Sequence, residues 1–410
     1  MENSQDSKID ITPAFKFMAE KLASDLFFSA GAPAYIKIEG ELRPLNSQVL
    51  DVEMVKRAIY GIMNEEQIRT FEEKNELNFG LSVPGAGRFR INVFRQRGSV
   101  AMVARYITHL VPTLDGTSLP AVLKDMVLEK RGLILVVGAT GSGKSTTLAA
   151  MINHRNANKA GHILTIEDPI EFVHKHNKSL VNQREVGIDT ESYATALINA
   201  LREAPDVLLI GEIRDTATMK QALIITQTGH LCLGTLHANN AYHAINRIVS
   251  FFPEEERESL LLDLSMTLKG IVSQRLVKGV DGKRVAAVEV LMNTFYVSEL
   301  IQKGEVEKLK DAIEQSLNAG SQTFERSLLD LFIAGKISRE EALSNADSRT
   351  DMEWLISNSV QEGGKGGQKA NTAVELSEAS LNVGESLEGF TINPEFLDKI
   401  GSGPSGFPKR

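Results

Sequence analysis

Gly138-Ala139-Thr140-Gly141-Ser142-Gly143-Lys144-Ser145 fits the pattern GxxxxGK[ST] at every fixed position and follows directly on the apolar segment Leu133 to Val137. The glycines of such a loop let successive backbone N–H groups point into one anion-sized hollow. The lysine reaches the β- and γ-phosphates of a nucleoside triphosphate, and the closing hydroxyl ligates Mg²⁺. Thr146 to Ile152 continues as a helix, which supplies the strand-loop-helix context the pattern requires. Residues 138–146 are therefore the candidate nucleotide-binding residues, with Ser145 a candidate metal ligand.

Outward from this loop, Leu133–Val137, Ile163–Ile166, Val207–Ile210 and Leu231–Thr235 read as strands alternating with helical stretches. Continuous apolar runs of this length suit a parallel sheet covered on both faces, so the centre of the chain is predicted to be an α/β P-loop core. Hydrolysis also needs a carboxylate to align or deprotonate the attacking water. Glu167, in Thr165-Ile166-Glu167-Asp168-Pro169-Ile170-Glu171, stands at the carboxyl end of a predicted strand, where ligands of open α/β sheets collect. Glu212 ends the apolar strand Val207-Leu208-Leu209-Ile210-Gly211 as the acid of a Walker B segment does, although Gly211 replaces the usual Asp. Its bland alternative is a surface pairing with the adjacent Arg214.

A third element, Thr228 to Asn240, is a strand leading into a polar turn, and Thr235, His237 and Asn239 are expected to emerge near the γ-phosphate. An imidazole there can register the loss of that phosphate. His237 is the candidate sensor, whereas His230 is as readily a structural histidine. Arg88, Arg90, Arg95, Arg97 and Arg105 crowd neighbouring strands nearer the amino terminus, and alternation puts Arg88 and Arg90 on one face. Arg90 and Arg105 are candidates for neutralising transition-state charge on a neighbouring subunit; a solvated cationic strand face is the alternative.

Composition narrows the class. A chain of 410 residues allows two or three domains, each able to bury a core. Acidic residues number 53 against 45 Lys plus Arg, a formal charge of −8, so no global basic field draws the chain to nucleic acid or anionic lipid. The one cysteine, Cys232, excludes internal disulfides and a Cys-based zinc site, and suits a reducing compartment. No signal peptide and no apolar run of membrane-spanning length is visible, so a cytoplasmic location with no direct membrane span is expected.

The organisation expected is a disordered terminus over 1–12, an α+β domain over 13–109, a linker over 110–118, an ATPase domain over 119–356 and a flexible tail over 357–410. In the first domain Thr12-Pro13 reads as N-cap and first position of a helix reaching about Ala23. Strands over Asp25–Ser29 and Tyr35–Ile38, helices from Asp51 and over Glu65–Lys74, and three antiparallel strands over Leu77–Val83, Arg88–Arg95 and Val100–Ile107 follow. From Glu254 onward helices are expected, interrupted by a strand pair around Arg284 to Leu291. Within the tail, Phe390 to Ile400 reads either as a short docking peptide or as plain unstructured chain.

These motifs in this order, over roughly residues 14 to 356, resemble the secretion ATPases of type II secretion and type IV pili. Thr165 to Glu171 resembles their Asp box, Leu208 to Glu212 their Walker B and Gly229 to Asn240 their His box. Within that superfamily the chain is similar to the pilus retraction ATPases of the PilT and PilU types, since the tetracysteine insert of many assembly ATPases is absent. PilT proteins carry Ala-Ile-Arg-x-Leu-Ile-Arg-Glu late in the chain. Here Tyr296 to Glu305 stands in its place, with Ser298 and Gln302 instead of the arginines, and Met292–Lys310 and Gln322–Asn345 look most like PilU. The resemblance implies a RecA-like core behind a PAS-like α+β domain, ATP and Mg²⁺ as ligands, Glu167 as general base and Glu212 organising Mg²⁺ and water. It implies that His237 contacts the γ-phosphate. It also implies a homo-hexameric ring with nucleotide between the first and P-loop domains, a PilT-type partner ATPase, and docking beneath an inner-membrane pilus platform protein.

Overall fold

The computed structural model describes residues 9–38, 40–315 and 320–362, and the chain divides into two compact units between His109 and Leu110. The expected docking peptide Phe390 to Ile400, like the rest of 363–410, lies outside the described residues.

In the first unit, α1 spans Thr12–Glu20, β1 Asp25–Phe28, β2 Tyr35–Ile38, β3 Glu41–Pro44, α2 Val52–Gly61, α3 Glu65–Lys74, β4 Glu76–Val83, β5 Gly87–Gln96 and β6 Ser99–Ile107. The six strands form one sheet in the order β3-β2-β1-β6-β5-β4, with each neighbouring pair antiparallel. Asp51 caps α2 by accepting the Met54 N–H at 2.7 Å, and Asn64 with Gln67 closes a capping box on α3. Phe15, Phe28, Phe71 and Phe89 are fully buried between helices and sheet. At the amino end the structure departs from expectation. Thr12 is the first helical residue rather than the cap, its N–H is taken by Asp10 Oδ1 at 2.8 Å, and the helix stops at Glu20. Ile11, expected in a disordered terminus, is buried in the core. Strand β3 was not anticipated, because its residues are mostly exposed at a sheet edge and carry no burial pattern.

The second unit contains α4 Val122–Leu128, β7 Gly132–Val137, α5 Lys144–Asn158, β8 Gly161–Glu167, β9 Ser179–Glu185, α6 Tyr193–Ala200, β10 Val207–Ile210, α7 Thr216–Gln227, β11 Leu231–Leu236, α8 Ala241–Ser250, α9 Arg257–Thr267, β12 Leu268–Lys278, β13 Arg284–Met292, α10 Phe295–Gln302, α11 Leu309–Gln315, α12 Phe324–Ile333, α13 Arg339–Asn345 and α14 Arg349–Glu362. Its seven-stranded sheet runs β13-β12-β7-β11-β10-β8-β9, parallel except for the β12–β13 pair. Alternate residues serve two cores. Leu133, Leu135 and Val137 of β7 join Leu208 and Ile210 of β10 on one face, while Ile134, Val136, Val207 and Leu209 pack on the other. Two-sided cover leaves β7, β10 and β11 buried throughout and largely apolar, and so legible as strands.

Strands β9 and β12 were not foreseen, and the expected strand pair around Arg284 proves to be β13 pairing with β12. Both missed strands carry polar residues in mid-strand, Asn182-Gln183-Arg184 and Ser273-Gln274-Arg275, which break the apolar signal. The helices α12 to α14 pack on β12 and β13 through Phe324, Leu328 and Met352. Arg275 ties them down, with Nη1 donating to the Asn345 carbonyl at 2.8 Å, Nη2 on Asp347 at 2.6 Å, and its guanidinium over the Phe324 ring. Helix α14 continues to Glu362, six residues into the stretch expected as tail, 357–362.

Candidate functional site

The chain leaves β7 through Gly138 (φ +157°), Gly141 (φ +77°) and Gly143 (φ +90°), conformations that favour glycine, and enters α5 at Lys144. No acidic residue stands in the first turn of α5, so its N-terminal N–H groups and dipole are left to an anion. The loop has a brace that the motif does not reveal. A Cβ on Gly138 would stand 2.5 Å from the Gln274 carbonyl oxygen, and one on Gly143 would stand 2.7 Å from Gln274 Nε2. Gln274, buried on β12, accepts the Thr147 hydroxyl on Oε1 at 2.6 Å and so pins α5 to the neighbouring strand. Lys144 Nζ donates to the carbonyls of Gly138 (3.0 Å) and Ala139 (2.9 Å). Burial lowers its pKa, opposed by the charges of Glu212 and Glu171.

Beside the loop lies a cleft of about 380 Å³ whose walls include Thr140, Lys144, Ser145, Glu167, Glu212 and His237. The register of β8 with β10 sets two of these together, because Ile166 pairs with Ile210 and each strand then delivers its acid at the carboxyl end. Burial pushes the Glu167 carboxyl up to about 7, against hydrogen bonds from Thr165 Oγ1 (2.6 Å) and Gln183 Nε2 (3.1 Å), with Glu171 and Glu185 raising it further. Glu212 is held from two sides, Oε2 by Arg214 Nη2 at 2.7 Å and Oε1 by His237 Nε2 at 3.3 Å. Asp215 instead caps α7 by accepting the Thr218 N–H at 2.8 Å. The glycine at 211 has a steric cause: a Cβ there would stand 2.7 Å from the Tyr193 hydroxyl and 3.1 Å from Glu167 Cα. An aspartate does not fit there without a shift of these neighbours, and the acids that reach the cleft are Glu167 and Glu212 among others.

The strand carrying the histidines delivers only part of its expected set to this cleft. Thr235 lines it and donates its hydroxyl to the Gly211 carbonyl, which joins the third strand of the site to the second. Asn239 lines a neighbouring hollow with Ser142, Gln274 and Arg275, on the other side of the loop. His230 sits at the opposite end of β11, with Nδ1 against Thr228 Oγ1 (3.0 Å) and the Ile225 carbonyl (3.2 Å), and is structural. Arg90 and Arg105 belong to the first unit, where they face each other across β5 and β6, and Arg105 pairs with the buried Asp25 at 2.9 Å.

Sequence reading also missed Glu289 of β13. It is 6% exposed, and its Oε1 accepts both the Ala241 N–H at the start of α8 (2.8 Å) and the Ser273 hydroxyl (2.9 Å). Burial pushes this carboxyl up to about 7. A lone acid between Val288 and Val290 gave no sequence signal of that network.

Residues 19–341 match the family described as Type II/IV secretion system protein. The chain is 49% identical over 342 residues to the type IV pilus ATPase PilU of Pseudomonas aeruginosa, covering 83% of this chain and 90% of that protein. It is 45% identical over 338 residues to the type IV pilus retraction ATPase PilT of the same organism, covering 82% and 98%. Among solved structures, the pilus retraction motor PilT with bound ADP superposes with a TM-score of 0.78 at 41% identity, over 85% of this chain and all of that one.

Proposed function

Because the chain belongs to the type II/IV secretion system protein family, we propose that it is an ATP-hydrolysing motor subunit of the type IV pilus machine, an accessory retraction ATPase of the PilU type. The observation that carries the reading is the convergence of Lys144, Glu167, Glu212 and His237 on one cleft beside a glycine loop. Names given to relatives, type IV pilus ATPase and pilus retraction motor with bound ADP, support the nucleotide and the process.

In this reading residues 138–146 cradle the phosphates and Lys144 holds the β- and γ-groups. Glu167 takes the proton of the attacking water, for which a carboxyl pushed up to about 7 is matched to neutral pH. Glu212 orients water, and His237, held by Glu212, contacts the γ-phosphate. The oxygen donors Ser145 and Glu212 suit Mg²⁺, which binds through one or two protein oxygens plus substrate phosphates and would neutralise phosphate charge. Arg90 and Arg105 would act on the nucleotide of a neighbouring subunit in a homo-hexamer. The ring would work with a PilT-type ATPase beneath an inner-membrane platform protein, with no nucleic acid as partner. Among the described residues no helix is long and apolar enough to cross a membrane, so attachment would be peripheral.

Lys144→Ala should abolish ATP turnover by the purified chain, and unchanged turnover would refute the site. In cells, Lys144→Ala should impair pilus retraction only where the companion motor is present. A second reading, a ring subunit that hydrolyses weakly, draws on α10. Ser298 turns its hydroxyl to the Ser265 carbonyl at 2.8 Å, and the arginines of the PilT segment are missing. Strong ATPase activity of the isolated chain excludes it.

A further inference from the structure

Gln183 is the in-register partner of Thr165 across the parallel β8–β9 pair, and Glu167 lies two residues beyond Thr165 on the same strand face. Its amide is read without ambiguity. The His174 backbone N–H can only donate, and it lies 2.8 Å from Gln183 Oε1; the Phe172 carbonyl can only accept, and it lies 2.9 Å from Nε2. The amide orientation is thereby fixed, and the second N–H of Nε2 must point at Glu167 Oε1, 3.1 Å away. Thr165 Oγ1 donates to the same Oε1 at 2.6 Å. One oxygen of the carboxylate is thus occupied by two donors, whereas no described residue donates to the other.

We propose that Gln183 is a positioning residue that commits Glu167 Oε1 and leaves Oε2 as the oxygen that accepts the proton of the attacking water. The inference rests on the hydrolytic reading above. In that step the water oxygen bonds to the γ-phosphorus and the bond from γ-phosphorus to the bridging oxygen breaks, its electron pair leaving on ADP. The water proton passes to Oε2. Two donors on Oε1 stop the carboxylate from rotating and turn its free lone pairs toward the cleft. They also favour the ionised form in a setting that otherwise opposes it.

The groups facing Glu167 set the direction of the test. Burial raises its pKa, Glu171 on the following loop and Glu185 on β9 raise it further, and Asp168, Tyr193 and His174 line the same cleft. Lys144, Arg214 and His237 line the cleft with Glu212 between them. Loss of the Gln183 donor therefore moves the carboxyl upward.

The experiment is single-turnover ATP hydrolysis by the full-length chain across pH 5.5 to 9.5, with nucleotide affinity measured in parallel. In Gln183→Leu the acid limb should move up by about one pH unit, leaving the rate roughly fivefold below wild type at pH 7 and within about twofold of it at pH 9.5. Gln183→Glu keeps an acceptor for His174 N–H but sets a second carboxylate against Oε1, and should shift the limb further. ATP affinity should stay within about threefold in both. A rate loss that is uniform across pH would mean that Gln183 merely supports the 172–174 loop, and would overturn the proposal. Should Gln183→Leu not fold, Thr165→Val removes the other Oε1 donor without touching that loop; the same limb shift is required, and its absence also overturns it. Glu167→Gln separates the two levels. If that variant hydrolyses ATP like wild type, the hydrolytic reading itself falls; if it is inactive while the limb stays put in the Gln183 and Thr165 variants, only this inference fails.

Discussion

Glu167 and Glu289 belong to one sheet and share burial and a pair of hydrogen-bond donors, although Arg275 lies near Glu289 and only carboxylates raise Glu167 further. Burial pushes each carboxyl up to about 7, and each accepts two hydrogen bonds on Oε1, from a strand hydroxyl and from an N–H. They differ in access. Glu167 ends a parallel strand and opens on the cleft beside Lys144, while Glu289 sits within β13, closed off by the start of α8 and by β12. Perturbed acidity alone thus marks a desolvated carboxyl, and only position relative to the phosphate loop makes one of the two the candidate general base.

The sharpest way to break this pairing is to neutralise each acid in turn. Glu167→Gln is expected to lower ATP turnover by roughly 10²- to 10⁴-fold with nucleotide affinity nearly unchanged. Glu289→Gln keeps an oxygen for Ala241 N–H and Ser273 and should stay within about threefold of wild type. Single-turnover hydrolysis of the two variants decides it; equal losses would show that the closed acid also takes part.

That contrast bears on what the sequence reveals. Strands β7, β8, β10 and β11 were readable because both of their faces are buried and apolar residues predominate in them, and the acids that follow β8 and β10 were readable with them. In the same sheet, the two strands that were not readable are those whose polar residues do local work, whereas β3 of the first unit is hidden by its exposure at a sheet edge. Gln183 on β9 holds Glu167, and Ser273 and Gln274 on β12 hold Glu289 and the phosphate loop. Side chains recruited to brace the site destroy the periodicity that announces a strand. Arg105 shows the same limit, since the buried partner Asp25 stands 80 residues away and only the β1–β6 pairing brings it near.

A second test uses stability. The ordinary value is 4.5 for each acid and the folded value about 7. Between those values the folded chain holds protons that the unfolded chain has released, so both groups lower stability as pH rises through the window. The share of Glu289 is on the order of 3 kcal/mol, and that of Glu167 is smaller because water reaches it from the cleft. Denaturation midpoints at pH 5 and pH 8 should therefore converge most in Glu289→Gln and less in Glu167→Gln; an unchanged pH difference in both would remove burial as the cause.

Gly211→Ala perturbs one acid and spares the other. The new Cβ presses on the Tyr193 hydroxyl and on Glu167 Cα, and overpacking of this kind costs about 1–3 kcal/mol. Turnover should fall with stability, because the β8 terminus must shift. Adding Tyr193→Phe removes the nearer obstacle and should recover part of the stability while the backbone contact persists. No recovery in a thermal melt of the double variant would place the strain at Glu167 itself.

The smallest effect is expected at Ser273. Its hydroxyl donates to Glu289 Oε1 at 2.9 Å, and Ser273→Ala removes one hydrogen bond worth about 1 kcal/mol without opening a large cavity. With that donor gone the carboxyl is held only by the Ala241 N–H, and its tendency to stay protonated increases. The loss should therefore be larger at pH 8, where the ionised form needs the donor, than at pH 5, where the neutral form does not. Thr165→Val, beside Glu167, should change the pH profile of hydrolysis, whereas Ser273→Ala should leave that profile in place. A shift of the hydrolysis profile in Ser273→Ala would mean that the Glu289 network reaches the cleft through the start of α8, and the division between the open and the closed acid would no longer hold.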